Sequence, residues 1–258
     1  MNTVAILLAA GKGTRMRSEL AKVLHPFAGE PLVLHPLRAA RRFGVARSIV
    51  VVGHQGPEVE ALVRARLLSS EGRGEGWAVD FAVQAEQRGT GHAVMCALPI
   101  LGDDVDGSVL ILSGDVPLLR AQTLQALALA CGRSSAGLSL ASFRAADPAG
   151  YGRIVRDPST HRCVAIREHK DASEAEREID ECNAGVYCVR ADHLRRELPL
   201  LGADNAAGEI YLTDLVALRA RAGEVAVVEV EADEVAGVNT PEQLTELEAR
   251  GRARGWIS

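Results

Sequence analysis

The chain has 258 residues, of which 47% are hydrophobic and 24% are charged, a composition typical of one large globular domain or of a core with an added lobe. The net charge of −5 and the aromatic content of 3% argue against nucleic-acid and membrane partners, although they allow a local basic pocket for a phosphorylated small molecule. Five cysteines, an odd number without a Cys-x-x-Cys pair, indicate a cytoplasmic protein with reduced thiols and no zinc site.

Apolar strands and helices alternate through the first half of the sequence. Such alternation predicts an α/β fold, in which helices cover both faces of a mostly parallel sheet and ligands bind at the carboxyl ends of its strands. A polar, glycine-rich turn is predicted at residues 69–76. The predicted strands cover residues 4–8, 48–53, 78–84 and 108–115, and the predicted helices cover residues 31–44, 57–68, 91–101 and 121–132.

The pattern changes after residue 132. Short strand segments follow without long helices between them, which predicts a smaller α+β lobe beside the sheet. We expect a single domain over residues 1–258, made of segments 1–132, 133–239 and 240–258. The short strands cover residues 137–143, 152–157, 163–168 and 183–189, and a helix, a strand and a closing helix cover residues 209–223, 225–232 and 240–255.

A glycine-rich turn follows the first predicted strand, in the sequence "AAGKGT". Small residues let the backbone pass close to a ligand, and free N–H groups in such a turn can bind an anion. Arg15 and Lys22 could add two positive charges, although a tight turn with solvated cations explains the pattern equally well. A P-loop is excluded because no Lys-Ser/Thr pair follows Gly13, and a nicotinamide dehydrogenase is disfavoured because Met16 stands where its third glycine is needed.

Asp115 follows the buried strand that ends in "LSGD", and a carboxylate at the end of a central strand is a natural Mg²⁺ ligand. The alternative interpretation is a turn or helix-capping aspartate. Gln84 and Gln87 carry amides that both donate and accept, which suits a nucleobase edge such as that of uracil. Gly89 would permit close backbone approach, and Thr90 lies near a helix start; the alternatives are solvated glutamines and an ordinary helix beginning.

Carboxylate and amide side chains in the second half of the chain could hold sugar hydroxyls. The informative residues are Glu168, Asn183 and Asn239, each beside apolar strand residues. Taken singly, each is more often a turn or surface residue.

Eight motifs in a fixed order give the chain a resemblance to the sugar-nucleotide pyrophosphorylases. The resemblance is strongest to the N-acetylglucosamine-1-phosphate uridyltransferase domains of bacterial bifunctional uridyltransferase/acetyltransferases, and it extends from about Val4 to Leu244. It implies a Rossmann-like nucleotidyltransferase fold and a Mg²⁺-dependent transfer of uridylate from UTP to N-acetylglucosamine 1-phosphate, with release of pyrophosphate. The motifs are "LAAGKGTRM", "QAEQRGTGHA", "LSGDVPLL", "GYGRI", "EHKDA", "NAGVY", "NAAGEIYLTD" and "GVN".

The resemblance also implies roles for individual residues. Asp115 and Asn239 would ligate Mg²⁺, while Arg15 and Lys22 would hold phosphates and, with Asp115, act in catalysis. The nucleotide and uridine contacts would come from Leu8, Ala9, Ala10, Gly11, Gly13, Gln84, Gln87, Gly89 and Thr90, the further substrate contacts from Ser113 and Gly114, and the sugar contacts from Gly152, Glu168, Asn183 and Thr213.

Three departures from the family pattern accompany the resemblance. Ala21 replaces the usual proline before Lys22, so a less rigid backbone is expected there, and Ile210 replaces one of two aromatic residues on the sugar side. The family's left-handed β-helix does not occur in the sequence, so neither acetyltransferase activity nor a β-helix trimer is expected. Two alternatives remain open, namely a transferase for another nucleotide or sugar phosphate such as glucose 1-phosphate, and a non-catalytic sugar-nucleotide-binding subunit.

Overall fold

The computed structural model describes residues 3–67 and 77–257, so the turn predicted at residues 69–76 lies outside the described residues. Short 3₁₀ turns occur at Thr14–Met16, Lys22–Leu24 and Leu198–Leu200. The strands are β1 Thr3–Ala9, β2 Pro26–Phe27, β3 Glu30–Pro31, β4 Arg47–Val52, β5 Ala78–Val83, β6 Ser108–Ser113, β7 Leu138–Arg144, β8 Arg153–Arg156, β9 Cys163–Arg167, β10 Glu181–Arg190 and β11 Ala226–Glu229. The helices are α1 Leu34–Phe43, α2 Gly56–Leu67, α3 Thr90–Leu101, α4 Ala121–Arg133, α5 Glu174–Arg177, α6 Ala191–Glu197, α7 Asp214–Ala222, α8 Ala232–Val235 and α9 Pro241–Ala253.

A mixed sheet forms the centre of the described structure, in the strand order β11-β7-β10-β6-β1-β4-β5. Neighbouring strands are parallel except where β10 meets β6 and β7, because β10 runs antiparallel to both. The hairpin β8–β9 branches off this sheet by pairing with the start of β10. This arrangement confirms the expected Rossmann-like, mostly parallel fold.

Both faces of the sheet are covered, as the continuous apolar runs of its strands require. One face packs against α1, α2 and α4, and the opposite face packs against α3, α6 and α7. Alternate residues of β1 divide between the two faces, since Leu7 packs in the first layer and Ile6 in the second. A third cluster, which contains Met16 and Leu247, joins α9 to the loop after β1.

The chain changes direction across the sheet between β1 and β6. From β1 it crosses to β4 and β5 on one side, and it then returns to β6 on the other side. Loops that leave the carboxyl ends of β1 and β6 therefore diverge and leave a crevice between them, which is where open α/β sheets bind ligands. Residues 10–21 and 114–120 form those two loops.

Several element boundaries differ from the sequence-based predictions. The helix predicted from residue 209 begins only at Asp214, because residues 210–212 pair with residues 88–91 instead of continuing a helix. Of the short strands assigned to the lobe, β7 and β10 extend the central sheet, whereas β8 and β9 branch from it as a hairpin. Among the described residues, no helix has the length and apolar character needed to cross a bilayer.

Candidate active site

The loop after β1 folds back on itself around Gly13. The residue has a φ of 62°, in the left-handed region, and it begins the 3₁₀ turn Thr14–Met16. A Cβ atom added at Gly13 would lie 2.4 Å from the Cβ atom of Lys22. Only glycine at position 13 therefore allows the backbone to pass this close to Lys22, and the contact places Lys22 beside the end of β1.

Four polar side chains predicted to act together meet above the ends of β1 and β6. The Lys22 ammonium donates hydrogen bonds to the Asp115 carboxylate and, over 3.1 Å, to Oδ1 of Asn239. Arg15 Nη2 donates to the same Asn239 oxygen over 3.0 Å. The Lys22 and Asp115 side chains are only 14% and 18% exposed, so this contact lies within the crevice rather than on an open surface.

Backbone contacts hold the two candidate metal ligands near each other. Asp115 lies two residues beyond β6, and its carbonyl oxygen accepts a 2.9 Å hydrogen bond from the N–H of Val238. Gly237 lies beside the Asp115 carboxylate, since a Cβ atom there would be 3.5 Å from Oδ2. Asn239 directly precedes Thr240, whose hydroxyl caps α9. The approach of these two loops therefore brings a carboxylate and an amide oxygen together although 124 residues separate them in the sequence.

The donor set of this pair fits a hard cation such as Mg²⁺. Mg²⁺ prefers oxygen ligands, and it commonly takes only one or two from the protein while water and substrate phosphates supply the others. The described part of the chain contains no group of three or more His, Cys, Asp or Glu side chains that could hold a metal. A site completed by substrate oxygens is therefore the kind that Asp115 and Asn239 can provide.

A pocket of about 210 Å³ opens beside the glycine-rich loop. Gln84, which is 5% exposed, donates from Nε2 to the carbonyl oxygen of Gly89 over 3.1 Å. Gln87 donates from Nε2 to the carbonyl oxygen of Ala10 over 2.7 Å. Each bond fixes the orientation of an amide, as direct readout of a nucleobase edge requires. The lining residues are Leu8, Ala10, Gly11, Gln84, Gln87, Gly89, Thr90, Ala93 and Glu209.

Gly89 and Thr90 have partners within the protein that the sequence did not reveal. A segment we call the strap, residues 205–213, lies against them. The N–H of Leu212 donates to Oγ1 of Thr90 over 3.1 Å, and a Cβ atom at Gly89 would lie 2.5 Å from the carbonyl oxygen of Ile210. Gly89 therefore permits close approach of the strap, and its approach to a ligand stays a prediction.

The predicted sugar-binding residues also converge. Oγ1 of Thr213 donates to Oε1 of Glu168 over 3.0 Å, and a Cβ atom at Gly152 would lie 3.6 Å from both that oxygen and the Cβ atom of Asn183. Burial raises the pKa of Glu168, and the hydrogen bond from Thr213 opposes that shift. Asn183 donates to the hydroxyl of Tyr187 over 2.7 Å. The Cβ atom added at Gly152 would also lie only 2.8 Å from Cγ2 of Ile166, so glycine at position 152 allows close packing against β9.

Sequence reasoning missed Gln55, which holds the loop that carries Lys22. Its Oε1 accepts a 2.5 Å hydrogen bond from the N–H of Ala21, and its Nε2 donates to the carbonyl oxygen of Glu19 over 3.0 Å. A proline at position 21 could not donate this bond, although the φ of −55° at Ala21 would suit a proline. The hydrogen bond from Ala21 to Gln55 therefore holds the backbone at the position where we expected it to be less rigid.

Arg153 is a second residue that sequence reasoning missed. It is 1% exposed, and its guanidinium donates to the carbonyl oxygen of Tyr151 and approaches His169 Nδ1 at 3.5 Å and the carbonyl oxygen of Arg177 at 3.4 Å. These contacts connect β8 to His169, which directly follows Glu168, and to the end of α5. The available signal was an arginine within the motif "GYGRI", but the sequence does not show that this arginine is buried.

Comparisons with known proteins agree with this arrangement. A family model described as "MobA-like NTP transferase domain" matches residues 5–210. The chain is 52% identical over 240 residues to "Bifunctional protein GlmU" of Anaeromyxobacter sp. (strain Fw109-5), covering 93% of this chain and 47% of that protein. It is 49% identical over 250 residues to "Bifunctional protein GlmU" of Chromohalobacter salexigens, covering 96% of this chain and 51% of the relative. The chain thus spans about half the length of these relatives.

A solved structure titled "The Crystal Structure of UDP-glucose pyrophosphorylase complexed with UDP-glucose" superimposes with a TM-score of 0.76 at 16% sequence identity. The alignment covers 98% of this chain and 100% of that one. At this identity the similarity concerns the fold, and it extends over nearly all of both chains.

Proposed function

This chain belongs to the MobA-like NTP transferase domain family, and we propose that its reaction is the transfer of uridylate from UTP to N-acetylglucosamine 1-phosphate. A phosphate oxygen of the sugar phosphate attacks the α-phosphorus of UTP, the bond to the β-phosphate breaks, and pyrophosphate leaves. The products are UDP-N-acetylglucosamine and pyrophosphate. The sugar phosphate is already anionic near neutral pH, so no general base is required.

Two anions must approach each other in this reaction, so positioning and charge neutralisation provide most of the catalysis. Lys22 would offset charge on the α-phosphate, and Arg15 would bind the departing pyrophosphate; both side chains contact the same Asn239 oxygen. Asp115 and Asn239 would hold Mg²⁺, which when bound would offset further phosphate charge.

The two ends of the crevice would bind the two substrates. The pocket at Gln84 and Gln87 would take the uracil, because both amides have fixed orientations. The region beside Glu168 and Asn183 would take the sugar, with these side chains accepting from and donating to its hydroxyl and acetamido groups.

The observation that carries this proposal is the contact of Lys22 with both Asp115 and Asn239. Three residues from distant parts of the chain meet at the sheet edge where an α/β fold binds ligands. A structural role alone would not require a cation, a carboxylate and an amide oxygen in a crevice beside a pocket of about 210 Å³.

Pyrophosphate release is the direct test. UTP, CTP, ATP and dTTP would be paired with N-acetylglucosamine 1-phosphate and glucose 1-phosphate, with and without Mg²⁺. We expect release to be fastest with UTP and N-acetylglucosamine 1-phosphate and to require Mg²⁺. Faster release with another pair would reassign the substrate, and no release with any pair would leave a binding subunit.

Two variants test the assigned residues. Lys22→Ala is expected to lower kcat by about 10²–10³-fold, as the loss of one charge-stabilising group commonly does, with the fold intact by circular dichroism. Asp115→Ala is expected to abolish the Mg²⁺-dependent release of pyrophosphate. Near-normal turnover in either variant would remove that residue from the mechanism.

A further inference from the structure

We propose that Lys22 competes with the divalent cation for Asp115 and Asn239, so that the metal binds well only when a phosphate draws Lys22 away. The inference rests on the proposed function, in which these two residues hold Mg²⁺. It gives Lys22 a second role besides charge neutralisation. Because the ammonium of Lys22 must leave Asp115 before the metal binds, metal binding would depend on the nucleotide.

The acceptor capacity of Asn239 is the first argument. An amide oxygen has two lone pairs. Oδ1 of Asn239 receives two cationic donors, Lys22 Nζ at 3.1 Å and Arg15 Nη2 at 3.0 Å. A metal ion bonded to this oxygen would need one of those lone pairs, so at least one of the two cations must leave.

The carboxylate of Asp115 gives the second argument. Its Oδ2 atom is hydrogen-bonded to the same Lys22 ammonium that contacts Asn239. A Mg²⁺ ion needs a separation of about 2.0–2.1 Å from each of its oxygen ligands. The ammonium contacts both oxygens that the ion would join. A Mg²⁺ ion bound to these oxygens would therefore lie close to the ammonium, and the two cations would repel each other.

The limited exposure of this contact gives the third argument. Both side chains are less than one fifth exposed, so water screens the repulsion only partly. The α-phosphate of a bound nucleotide would offer Lys22 another anionic partner in the crevice. Transfer of the ammonium to that phosphate would release both oxygens for the metal at the step when the metal is needed.

Thermodynamic linkage makes the coupling reciprocal. If the nucleotide raises the metal affinity by a given factor, the metal raises the nucleotide affinity by the same factor. Lys22 would be the residue that transmits this coupling, and its removal should both strengthen metal binding alone and weaken the dependence on phosphate.

The test measures Mn²⁺ binding without nucleotide by electron paramagnetic resonance of the free ion. Lys22→Met is expected to bind Mn²⁺ at least about tenfold more tightly than the unsubstituted protein, equal to about 1.4 kcal/mol. Lys12→Met is the matched control, because it removes an exposed cation of the same loop by the same substitution. Its Mn²⁺ affinity should change by less than about threefold, since exposed charges are screened.

The proposal is overturned if Lys22→Met binds Mn²⁺ no more tightly than Lys12→Met, or if neither variant binds it. A second measurement adds saturating uridine 5′-monophosphate, which carries only the α-phosphate. This ligand should tighten Mn²⁺ binding to the unsubstituted protein by a larger factor than in Lys22→Met, where only direct ligation by a phosphate oxygen remains; equal tightening in both proteins would also overturn the proposal. If no protein binds this nucleotide, the titration with metal alone still decides whether Lys22 competes, and the release of pyrophosphate from UTP decides the proposed function.

Discussion

Gly13 is the residue on which the position of Lys22 depends most directly. Its φ of 62° disfavours any side chain, and an alanine Cβ would lie 2.4 Å from the Cβ of Lys22. We expect Gly13→Ala to move Lys22 and to lower kcat by about 100-fold, as misplacement of a catalytic group by about 1 Å can do. Steady-state kinetics of pyrophosphate release would measure the effect.

Gly29→Ala separates this contact from backbone strain. Gly29 has a φ of 80° in the β2–β3 turn, and an added Cβ there would meet nothing within 4 Å. The variant should lose roughly 1–2 kcal/mol of stability from the left-handed backbone and keep its kcat. Equal losses of kcat in both variants would show that strain, and not the contact with Lys22, causes the defect.

Glu168 should reduce stability at neutral pH, because burial raises the pKa of its carboxyl. A carboxyl with a raised folded-state pKa contributes stability that is present below its unfolded pKa and is lost as the pH rises through its folded pKa. Glu168→Gln keeps an oxygen that can accept from Thr213 and removes the charge. We therefore expect the variant to have the higher Tm at pH 7.5, with the difference shrinking toward pH 4.5, the ordinary pKa of the side chain.

Thermal unfolding across that range, with Glu246→Gln on the exposed side of α9 as the control for net charge, would measure this difference. A variant less stable than the unsubstituted protein at pH 7.5 would contradict the expectation. The sugar phosphate should still bind more weakly, since the same carboxylate is placed to contact the sugar.

Motif spacing predicted much of the site at the scale of single residues. The family resemblance assigned Lys22 and Asp115 to one site at the carboxyl ends of the strands, and these two side chains do contact each other. Gln55 was not predicted, because its φ of 54° and its bonds to the loop at residues 19–21 arise only after β1 and β4 pair. The position of Asn239 came only from the family resemblance.

Among the elements, α8 is joined to the loop after β6 by an ion pair whose carboxylate is buried. The Glu234 side chain is fully buried and accepts from the backbone N–H, Nε and Nη2 of Arg120 at 3.1, 2.9 and 2.5 Å. The pair joins the segment that begins at Asp115 to the segment that ends at Asn239. It therefore supports the candidate metal ligands from one side, while the Val238–Asp115 hydrogen bond supports them from the other.

Removal of the two partners should have unequal effects. Arg120→Met leaves a fully buried carboxylate without its cation and is expected to cost about 3 kcal/mol of unfolding free energy. Glu234→Gln leaves a guanidinium that is 39% exposed and can be hydrated, so about 1 kcal/mol is expected. Urea unfolding would measure both values.

Asp180→Asn provides the matched exposed pair for this comparison, because Asp180 and its partner Arg144 are 59% and 55% exposed. Its cost should stay below about 1 kcal/mol. If Glu234→Gln is more destabilising than Arg120→Met, the buried carboxylate does not control the energetics of this pair.

The late start of α7 shows why element boundaries escaped the sequence analysis. Residues 209–223 have a composition compatible with a helix throughout, but Ile210 donates to the carbonyl oxygen of Arg88 and accepts from the N–H of Gly91, each at 2.8 Å. These partners lie more than 100 residues earlier in the chain. Local periodicity contains no information about such pairing, so it extended the helix by five residues.

At the scale of the whole molecule, strand direction was the main feature that the sequence could not provide. The apolar runs of β6, β7 and β10 look alike because each is buried on both faces of the sheet. Only the structure shows that β10 inserts antiparallel between β6 and β7. This insertion brings Asn183 on β10 and the β8–β9 hairpin to the same edge as Asp115, and it thereby joins the sugar side to the nucleotide side.

The strap crosses between those two sides, so each substrate should stabilise it. Leu212 N–H bonds to Thr90 beside the proposed uracil pocket, and Thr213 donates to Glu168 beside the proposed sugar space. Backbone N–H groups held in this way exchange with solvent only after local opening. We expect UTP alone and N-acetylglucosamine 1-phosphate alone each to slow hydrogen exchange at the amides of Ile210 and Leu212.

Hydrogen exchange monitored by mass spectrometry or NMR would test this coupling. The amide of Leu32, which donates to the carbonyl oxygen of His25 over 3.0 Å beside the β2–β3 turn, is the internal control and should be unaffected. Protection of residues 84–91 by UTP without protection of Ile210 and Leu212 would mean that the two sides respond independently. Protection of both amides by each substrate alone would instead mean that binding on one side favours binding on the other, because the same segment contacts both sides.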